Sequence, residues 1–570
     1  MATSQTFAPF LASVALFLAA AVAPANASEV PADATWEPAW VLSADGTRLQ
    51  ADVFRPRDLP PGGRTPVIVI TGPYFGIGTD ETDVERPKIL SYYRDLFDVA
   101  FDRGYSIVQV SLRGFGASEG CPDFAGFGEQ ADARAAVEWA ATRPWSTGRV
   151  GTFGLSYDAL TQVMNLGDPP RGLNAAVIIE PAIEQYRAIY MDGVRYARGA
   201  LIAPYYATLG LIGPIFAQPT PLETVVPGLA AGNPLCLAGA QATTTGVSDR
   251  DENTPFWRER SFIDSARGSQ VPVLWAHGFA DEQVRPDQFL PVWRRLEGPR
   301  RAWFAQIPHL NPGESESRNP GSVGRPGFTE EAMGWYDRFL LDRDSATRGA
   351  PRVVVQEGGR GRWRSERRWP PPAIRKRTMP VLGGSYLDAA GNKGEPGCFR
   401  IELNCPPGPS GVGSWTFSKP LKHRAHLAGV PRLRVSIETN APAVNLIALL
   451  YDIDASNQAS LISRGANRVT SPGTRSVELY PQDWRFRRGH RLGLLLTGAD
   501  DGWFEPGPSG TGVTVSAGRL RVPYMRCVSG RPLDGGPSQV ISERITFPVV
   551  GADVDERTSG RRPPRLHRHC

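Results

Sequence analysis

An apolar run of strand character, Val150 to Phe153, passes through Gly154-Leu155-Ser156-Tyr157-Asp158 directly into a helical stretch, Ala159 to Leu166. Strand, sharp turn and helix within so few residues describe an α/β unit with a serine raised on the turn. Such a turn needs a residue without bulk just before the serine, and Gly154 meets this. The glycine usual two residues after the serine is absent. Asp158 stands there, with Ala159 next. A serine hydroxyl is a weak nucleophile at neutral pH, so the motif requires a base in hydrogen-bond reach and donors for an oxyanion.

The surrounding chain has the rhythm that such a turn demands. Val67 to Ile70, Ser106 to Val110 and Ala176 to Ile179 read as buried strands, and Glu129 to Thr142 as an intervening helix. Strands alternating with helices predict a mostly parallel sheet covered on both faces. About Gln185 to Arg267 lacks this rhythm and reads as an inserted helical cap. The α/β pattern returns at Val271 to Trp275 and Ala302 to Ile307. A helix follows from about Glu330 to Leu341, with Thr329 expected as its N-cap. After about Gly349 short strands follow one another, with Leu433, Val435 and Ile437 alternating against Arg434, Ser436 and Glu438. That spacing predicts an antiparallel sandwich. The expected division is 28–184 and 268–348 for the α/β part, 185–267 for the cap, 349–548 for the sandwich, and a disordered basic tail at 549–570.

Order along the chain narrows the partners of Ser156. In this arrangement the acid precedes the histidine and both follow the serine. Only His277 and His309 fall in the α/β part after Ser156. His309 comes just after the strand Ala302 to Ile307, whereas His277 abuts its own strand and precedes the acid, so it reads as a pocket or packing residue. Asp281 lies in the loop after the strand Val271 to Ala276, with Glu282 and Asp287 as competing acids. Both expected partners sit at carboxyl ends of strands, where sites of open α/β sheets gather.

These residues resemble the family that contains cocaine esterase, X-Pro dipeptidyl-peptidases and α-amino acid ester hydrolases. The resemblance is carried by Asp45 to Leu49, Pro73-Tyr74, Arg113-Gly114 through Ser118-Glu119-Gly120, Trp139, Trp145 and Gly154 to Tyr157. It continues at Gly278-Phe279-Ala280-Asp281, Pro308-His309, Trp335 to Leu340, Trp363 and Trp369-Pro370-Pro371. It covers nearly all of about 36 to 545. It implies an α/β-hydrolase fold with an inserted helical cap, followed by an all-β jelly-roll domain. It also implies an oxyanion hole built from the Tyr74 hydroxyl and the Tyr157 N–H. Two positions depart from the pattern: Ser111 stands where the family often has Asp, and Phe279 where it has Trp. Phe279 is expected to line the substrate pocket. In the amino-acid-ester branch a carboxylate cluster binds the substrate ammonium, a role that Asp251 and Glu252, with Asp249, are placed to supply. The preferred reading of these three residues is a solvated acidic loop, with ammonium binding as the alternative.

Bulk properties set the remaining expectations. With 570 residues the chain has room for three or four units at roughly 150 residues each. Its 63 basic and 58 acidic residues nearly balance, which argues against nucleic acid as a partner. No dinucleotide glycine fingerprint or metal-ligand cluster is evident, so no cofactor and no metal are implied. Phe10 to Ala23 has the length of a signal-peptide apolar region and is too short to span a bilayer, and it ends in Pro24-Ala25-Asn26-Ala27. This predicts a signal peptide over 1–27, cleavage near Ala27, and a secreted or periplasmic protein. The first nine residues carry no Lys or Arg, which leaves an uncleaved anchor as the alternative. All six cysteines lie beyond Ala27, and Cys398 with Cys405 is the nearest pair for a disulfide.

The expected function is a secreted serine hydrolase that cleaves esters or amides through an acyl-enzyme. X-Pro dipeptidyl-peptidase and α-amino acid ester hydrolase are the alternatives within the family. A non-catalytic binding protein is the alternative outside it. The expected partner is a small ester or short peptide, and oligomeric state is not legible.

Overall fold

The computed structural model describes residues 30–75, 87, 89–199, 202, 206, 234–313, 321–389, 413–500, 503–528, 530–544, 546–549, 552–560 and 562–567. The expected signal segment, most of the expected cap core, and Cys398 with Cys405 lie outside these residues.

The first unit is a sheet whose strands are β1 (Ala34–Leu42), β2 (Arg48–Pro56), β3 (Thr65–Gly72), β4 (Ser106–Ser111), β5 (Ser146–Leu155) and β6 (Leu173–Ile179), then β7 (Val273–Gly278), β8 (Arg300–Ala305), β9 (Val353–Gln356) and β10 (Trp363–Glu366). Arg531–Leu533 adds an eleventh strand. Their spatial order is β1-β2-β4-β3-β5-β6-β7-β8-β9-β10. From β4 to β9 every neighbour is parallel, and the outer pairs are antiparallel.

Parallel strands need cover on both faces, and β3 shows how the sequence provides it. Val67 and Val69 pack with Ala136, Val137 and Ala140 of helix α2 (Phe127–Ala141). Ile68 and Ile70 point the other way. They pack with Phe97 of α1 (Arg94–Ala100) and, through one continuous core, with Trp335 and Tyr336 of α6 (Phe328–Leu340). Helices α3 (Tyr157–Met164) and α5 (Phe289–Arg295) complete the α2 side. Helix α6 begins one residue before the expected Thr329 cap. Gly327, at φ 97°, turns the chain into it instead. That backbone region favours glycine.

A further helix, α4 (Pro234–Ser248), belongs to the cap. Cys236 on it is disulfide-bonded to Cys121, in the loop after β4. Cys527 is also disulfide-bonded. Among the described residues no helix is long and apolar enough to cross a membrane.

The second unit is a sandwich of an eight-stranded and a six-stranded sheet among the described residues. Leu433, Val435 and Ile437 are buried while Arg434 and Glu438 are exposed, as the alternation requires. Strand Val444–Ile453 is buried along its whole length. Its Leu446, Ala448 and Leu450 enter the sandwich core. Ile447, Leu449 and Tyr451 face outward onto Met191, Val194 and Tyr196 of the cap. Residues 552–560 and 562–567 of the tail make regular contacts where disorder was expected. Thr558–Ser559 pairs in parallel with Ser414–Ser418. Arg557 Nε donates to Trp415 O (2.8 Å) and His567 N to Arg526 O (2.8 Å). Here the Arg557 guanidinium satisfies a carbonyl at a strand margin, and His567 does so through its backbone.

One buried carboxylate joins the units. Asp483, on sandwich strand Gln482–Phe486, accepts both terminal nitrogens of Arg364 on β10 (2.9 and 2.7 Å). It also accepts Trp369 Nε1 (2.9 Å) and bonds His426 Nε2 (2.7 Å). Burial alone would raise its pKa, but Arg364 and His426 hold it well below the usual carboxylate range. Asp483→Ala would leave both terminal nitrogens of the buried Arg364 guanidinium without their carboxylate, with only Nε still paired to Glu366 (2.9 Å). It should lower unfolding free energy by about 3–5 kcal/mol, read from the urea midpoint. A change within about 0.5 kcal/mol, the size of an ordinary surface substitution, would show that the hub is not a joint.

Candidate active site

The site starts from Ser156, which follows β5 and caps α3. Its backbone stands at φ 64°, ψ −120°, a region that side chains rarely adopt. Holding such a residue costs on the order of 1–3 kcal/mol, and the surroundings fix it there. Ser156 N donates to Ile179 O (3.0 Å), at the end of β6. A Cβ on Gly154 would lie 2.5 Å from the carbonyl oxygen of Asp158, so only glycine fits before the elbow.

Asp158, in the position where a glycine is usual, lies wholly buried beneath the turn. Tyr93 Oη donates to its Oδ2 (2.6 Å) and accepts Leu155 N (2.9 Å). Burial pushes the pKa of its carboxyl well above the usual range. A Cβ on Gly72 would overlap its Oδ1 at 1.6 Å, so Gly72 makes the space for it.

Parallel strands bring the other expected residues alongside. Glu180 N donates to Ala276 O (3.0 Å) and Phe279 N to Ala305 O (2.7 Å), which aligns the carboxyl ends of β6, β7 and β8. His309 Nδ1 lies 3.0 Å from Asp281 Oδ2. Asp281 is itself held by the N–H groups of Gln283 (2.8 Å) and Val284 (2.7 Å) on its Oδ1. The competing acids are otherwise engaged: Glu282 Oε2 accepts His309 N (3.3 Å), and Asp287 faces Arg285 (3.5 Å). His277 is fully buried beside Phe289, with neither ring nitrogen bonded among the described residues. Burial pushes its pKa down to about 4. It is a packing residue, as its place in the chain suggested.

Tyr74 lies two residues past β3. Its hydroxyl is 2.5 Å from that of Tyr206 in the cap, whose ring packs against Tyr157 (centroids 4.7 Å). Ser111 Oγ donates to Phe75 O (3.2 Å), so the residue that departs from the family pattern steadies the Tyr74 loop. Tyr157 is the first residue of α3, and a first-turn N–H has no acceptor within its helix. Its hydroxyl points away from Ser156 chemistry, donating to the buried Glu129 (2.5 Å).

Three expected substrate contacts fall elsewhere. Phe279 is buried among Phe289, Phe304 and Trp369 and fills core between α5 and the sandwich. Asp251 is exposed, its Oδ1 capping Asn253. Glu252 lines a separate cleft of about 820 Å³ with Tyr186, Asp287 and Trp369, to which Ser156, Tyr74 and His309 do not contribute.

Sequence reasoning missed Glu180. It follows β6 directly, is fully buried, and its Oε2 lies 3.1 Å from His309 Nδ1. A carboxylate closing an apolar strand next to the serine strand was the available signal. Glu180, Asp281 and His309 form the one candidate metal-ligand set among the described residues, with ligand atoms within 4.8 Å of one another. Backbone N–H groups already occupy both carboxylates, and Nδ1 is taken by them, so the set fits a hydrogen-bonded relay rather than a cation.

Comparison with known proteins bears on the family and fold of the whole chain. The profile of the X-Pro dipeptidyl-peptidase (S15 family) matches residues 45–311, and that of the X-Pro dipeptidyl-peptidase C-terminal non-catalytic domain matches 346–532. A putative Xaa-Pro dipeptidyl-peptidase of Bacillus cereus is 24% identical over 475 residues, 74% of this chain and 76% of that protein. Cocaine esterase of a Rhodococcus species is 28% identical over 369 residues, 60% and 61% of the two chains. A solved α-amino acid ester hydrolase superposes with a TM-score of 0.65 at 15% identity, covering 87% of this chain and 98% of its own. A CocE/NonD family hydrolase of Staphylococcus aureus superposes at 0.66 and 14% identity, covering 87% and 97%. An α/β unit with a serine elbow, a following sandwich, and both profiles in register place this chain in the serine hydrolase family of cocaine esterase, the X-Pro dipeptidyl-peptidases and the α-amino acid ester hydrolases.

Proposed function

We propose that the protein is an exported acyl hydrolase in which Ser156 attacks a small ester and forms an acyl-enzyme. The observation that carries this reading is the Asp281–His309 hydrogen bond of 3.0 Å, set at strand ends beside the strained Ser156 elbow. His309 Nε2 takes the Ser156 proton as the Oγ–C bond forms, and gives it to the leaving group as the bond between the carbonyl carbon and the leaving group breaks. Asp281 fixes the tautomer with the proton on Nδ1. The Tyr74 hydroxyl and Tyr157 N–H receive the oxyanion. Water then repeats the sequence on the acyl-enzyme. The Cys121–Cys236 disulfide supports an oxidising compartment, in keeping with a signal segment ending near Ala27.

X-Pro dipeptidyl-peptidase activity is the second reading, supported by the family profiles over both units. Such a substrate needs a carboxylate for its N-terminal ammonium. Of the residues expected to supply one, Asp251 is exposed and Glu252 lines a cleft to which Ser156 does not contribute, which favours the ester.

Wild type and Ser156→Ala, assayed on short-chain p-nitrophenyl esters and Ala-Pro-p-nitroanilide, separate these readings. Ester turnover at least about 10³-fold above the variant supports the esterase. Turnover of the Ala-Pro amide alone supports the peptidase, and equal rates in both proteins reject Ser156. Tyr74→Phe should lower kcat by about 10²–10³ with KM little changed, the cost of one oxyanion donor. Gly154→Ala should lower kcat by about 10² in a folded protein, because its Cβ would displace the elbow. Wild-type kcat in either variant would contradict the assigned role.

A further inference from the structure

A serine relay uses one acid, yet His309 Nδ1 faces two. Asp281 Oδ2 is 3.0 Å away and Glu180 Oε2 is 3.1 Å away, and both carboxylates are fully buried. They reach the imidazole from different strands, Asp281 from the loop after β7 and Glu180 from the end of β6. The position of Glu180 is built into the fold. Its Oε1 accepts Gly278 N (2.8 Å), and its Oε2 accepts Leu310 N (2.8 Å), the residue after the histidine. A Cβ on Gly278 would lie 2.9 Å from Glu180 Oε1 and 2.3 Å from Ile307 O, so glycine there is what admits the carboxylate.

We propose that Glu180 is a second acid of the relay, a positioning residue that shares the Nδ1–H of His309 with Asp281 and holds the catalytic tautomer when Asp281 is lost. The proposal rests on the Ser156 hydrolase reading. A neutral imidazole has one proton on Nδ1 and a lone pair on Nε2, and either carboxylate accepting the Nδ1–H keeps it so. No proton leaves Nδ1 during the reaction. Nε2 takes the serine proton, and the resulting imidazolium is balanced by the two acids.

Two buried carboxyls this close resist ionising together. Burial and the Asp281 charge push the Glu180 pKa up. Burial would lower that of His309, but Asp281 and Glu180 raise it well above its ordinary value. Among the described residues the other groups facing the pair are few. Glu282 meets the His309 backbone, Arg198 lies 3.8 Å from Glu282, and His277 is buried and neutral. The cluster therefore holds a proton to higher pH than a single-acid relay would. Removing one carboxylate lowers the proton affinity of His309, so the acid limb of the rate profile moves to lower pH.

The test compares full-chain wild type, Glu180→Gln, Glu180→Asp, Asp281→Asn and the double variant Glu180→Gln/Asp281→Asn on a short-chain p-nitrophenyl ester across pH. Ser156→Ala sets the background. Asp281→Asn should lose about 10²-fold in kcat, and the double variant the roughly 10⁴-fold that loss of a sole acid inflicts. Glu180→Gln should lower kcat with KM unchanged and shift the acid limb downward, and Glu180→Asp should restore part of both. The proposal is overturned if Asp281→Asn alone falls to the level of the double variant, or if Glu180→Gln keeps the wild-type kcat and acid limb. If the Glu180 variants do not fold, Asp281→Asn still decides: activity near the Ser156→Ala background rejects a second acid. Wild-type activity in Ser156→Ala would reject the hydrolase reading itself, a separate outcome.

Discussion

The site depends on the alignment of four neighbouring parallel strand ends. Ser156 N reaches the end of β6, Glu180 N reaches Ala276 near the end of β7, and Phe279 N the end of β8. Each of these hydrogen bonds extends the ladder by one residue past the regular strand. The chain then turns away, and side chains from far-apart segments meet in a small volume. The backbone of Ser156 could not hold φ 64° alone. Packing of α3 beneath it, the space at Gly154 and the Tyr93–Asp158 bond over-determine the turn.

The second unit is more than a wall. Gln306, three residues before His309, donates through Nε2 to Gln482 Oε1 (2.7 Å) and to Asp483 O (3.2 Å) of the sandwich. Its own N–H is taken by Gln356 (2.9 Å) on β9. The loop that carries His309 is thus clamped from the sandwich side, beside the Asp483 hub. The cap is tied separately, by Cys121–Cys236 and by the packing of Tyr196 against the outer sandwich face.

What was legible in the sequence was what is local or ordered along the chain. The elbow is one strand, one turn and one helix, and its steric demand is visible in Gly154. Asp281 and His309 follow from order and from strand ends, and the alternation at Leu433 to Ile437 announces the sandwich. Contacts of long sequence separation were not legible. Glu180 receives N–H groups from residues 98 and 130 positions away. Phe279 was expected in the pocket, because a motif position does not say which way a ring turns; it turns into the core. Asp251 and Glu252 form an acidic run, but their loop leads to another cleft. The basic tail looked disordered by composition, yet its arginines find carbonyl acceptors at strand margins that the sequence does not mark.

The central claim is that Ser156 is the nucleophile of a relay assembled at these strand ends. The most direct measurement is reaction of the folded protein with a fluorophosphonate, followed by mass spectrometry of the peptides. The account predicts one adduct per chain, on the peptide that contains Ser156, and its disappearance when His309 is replaced by alanine. An adduct on another serine, or an unmodified folded protein, would contradict it.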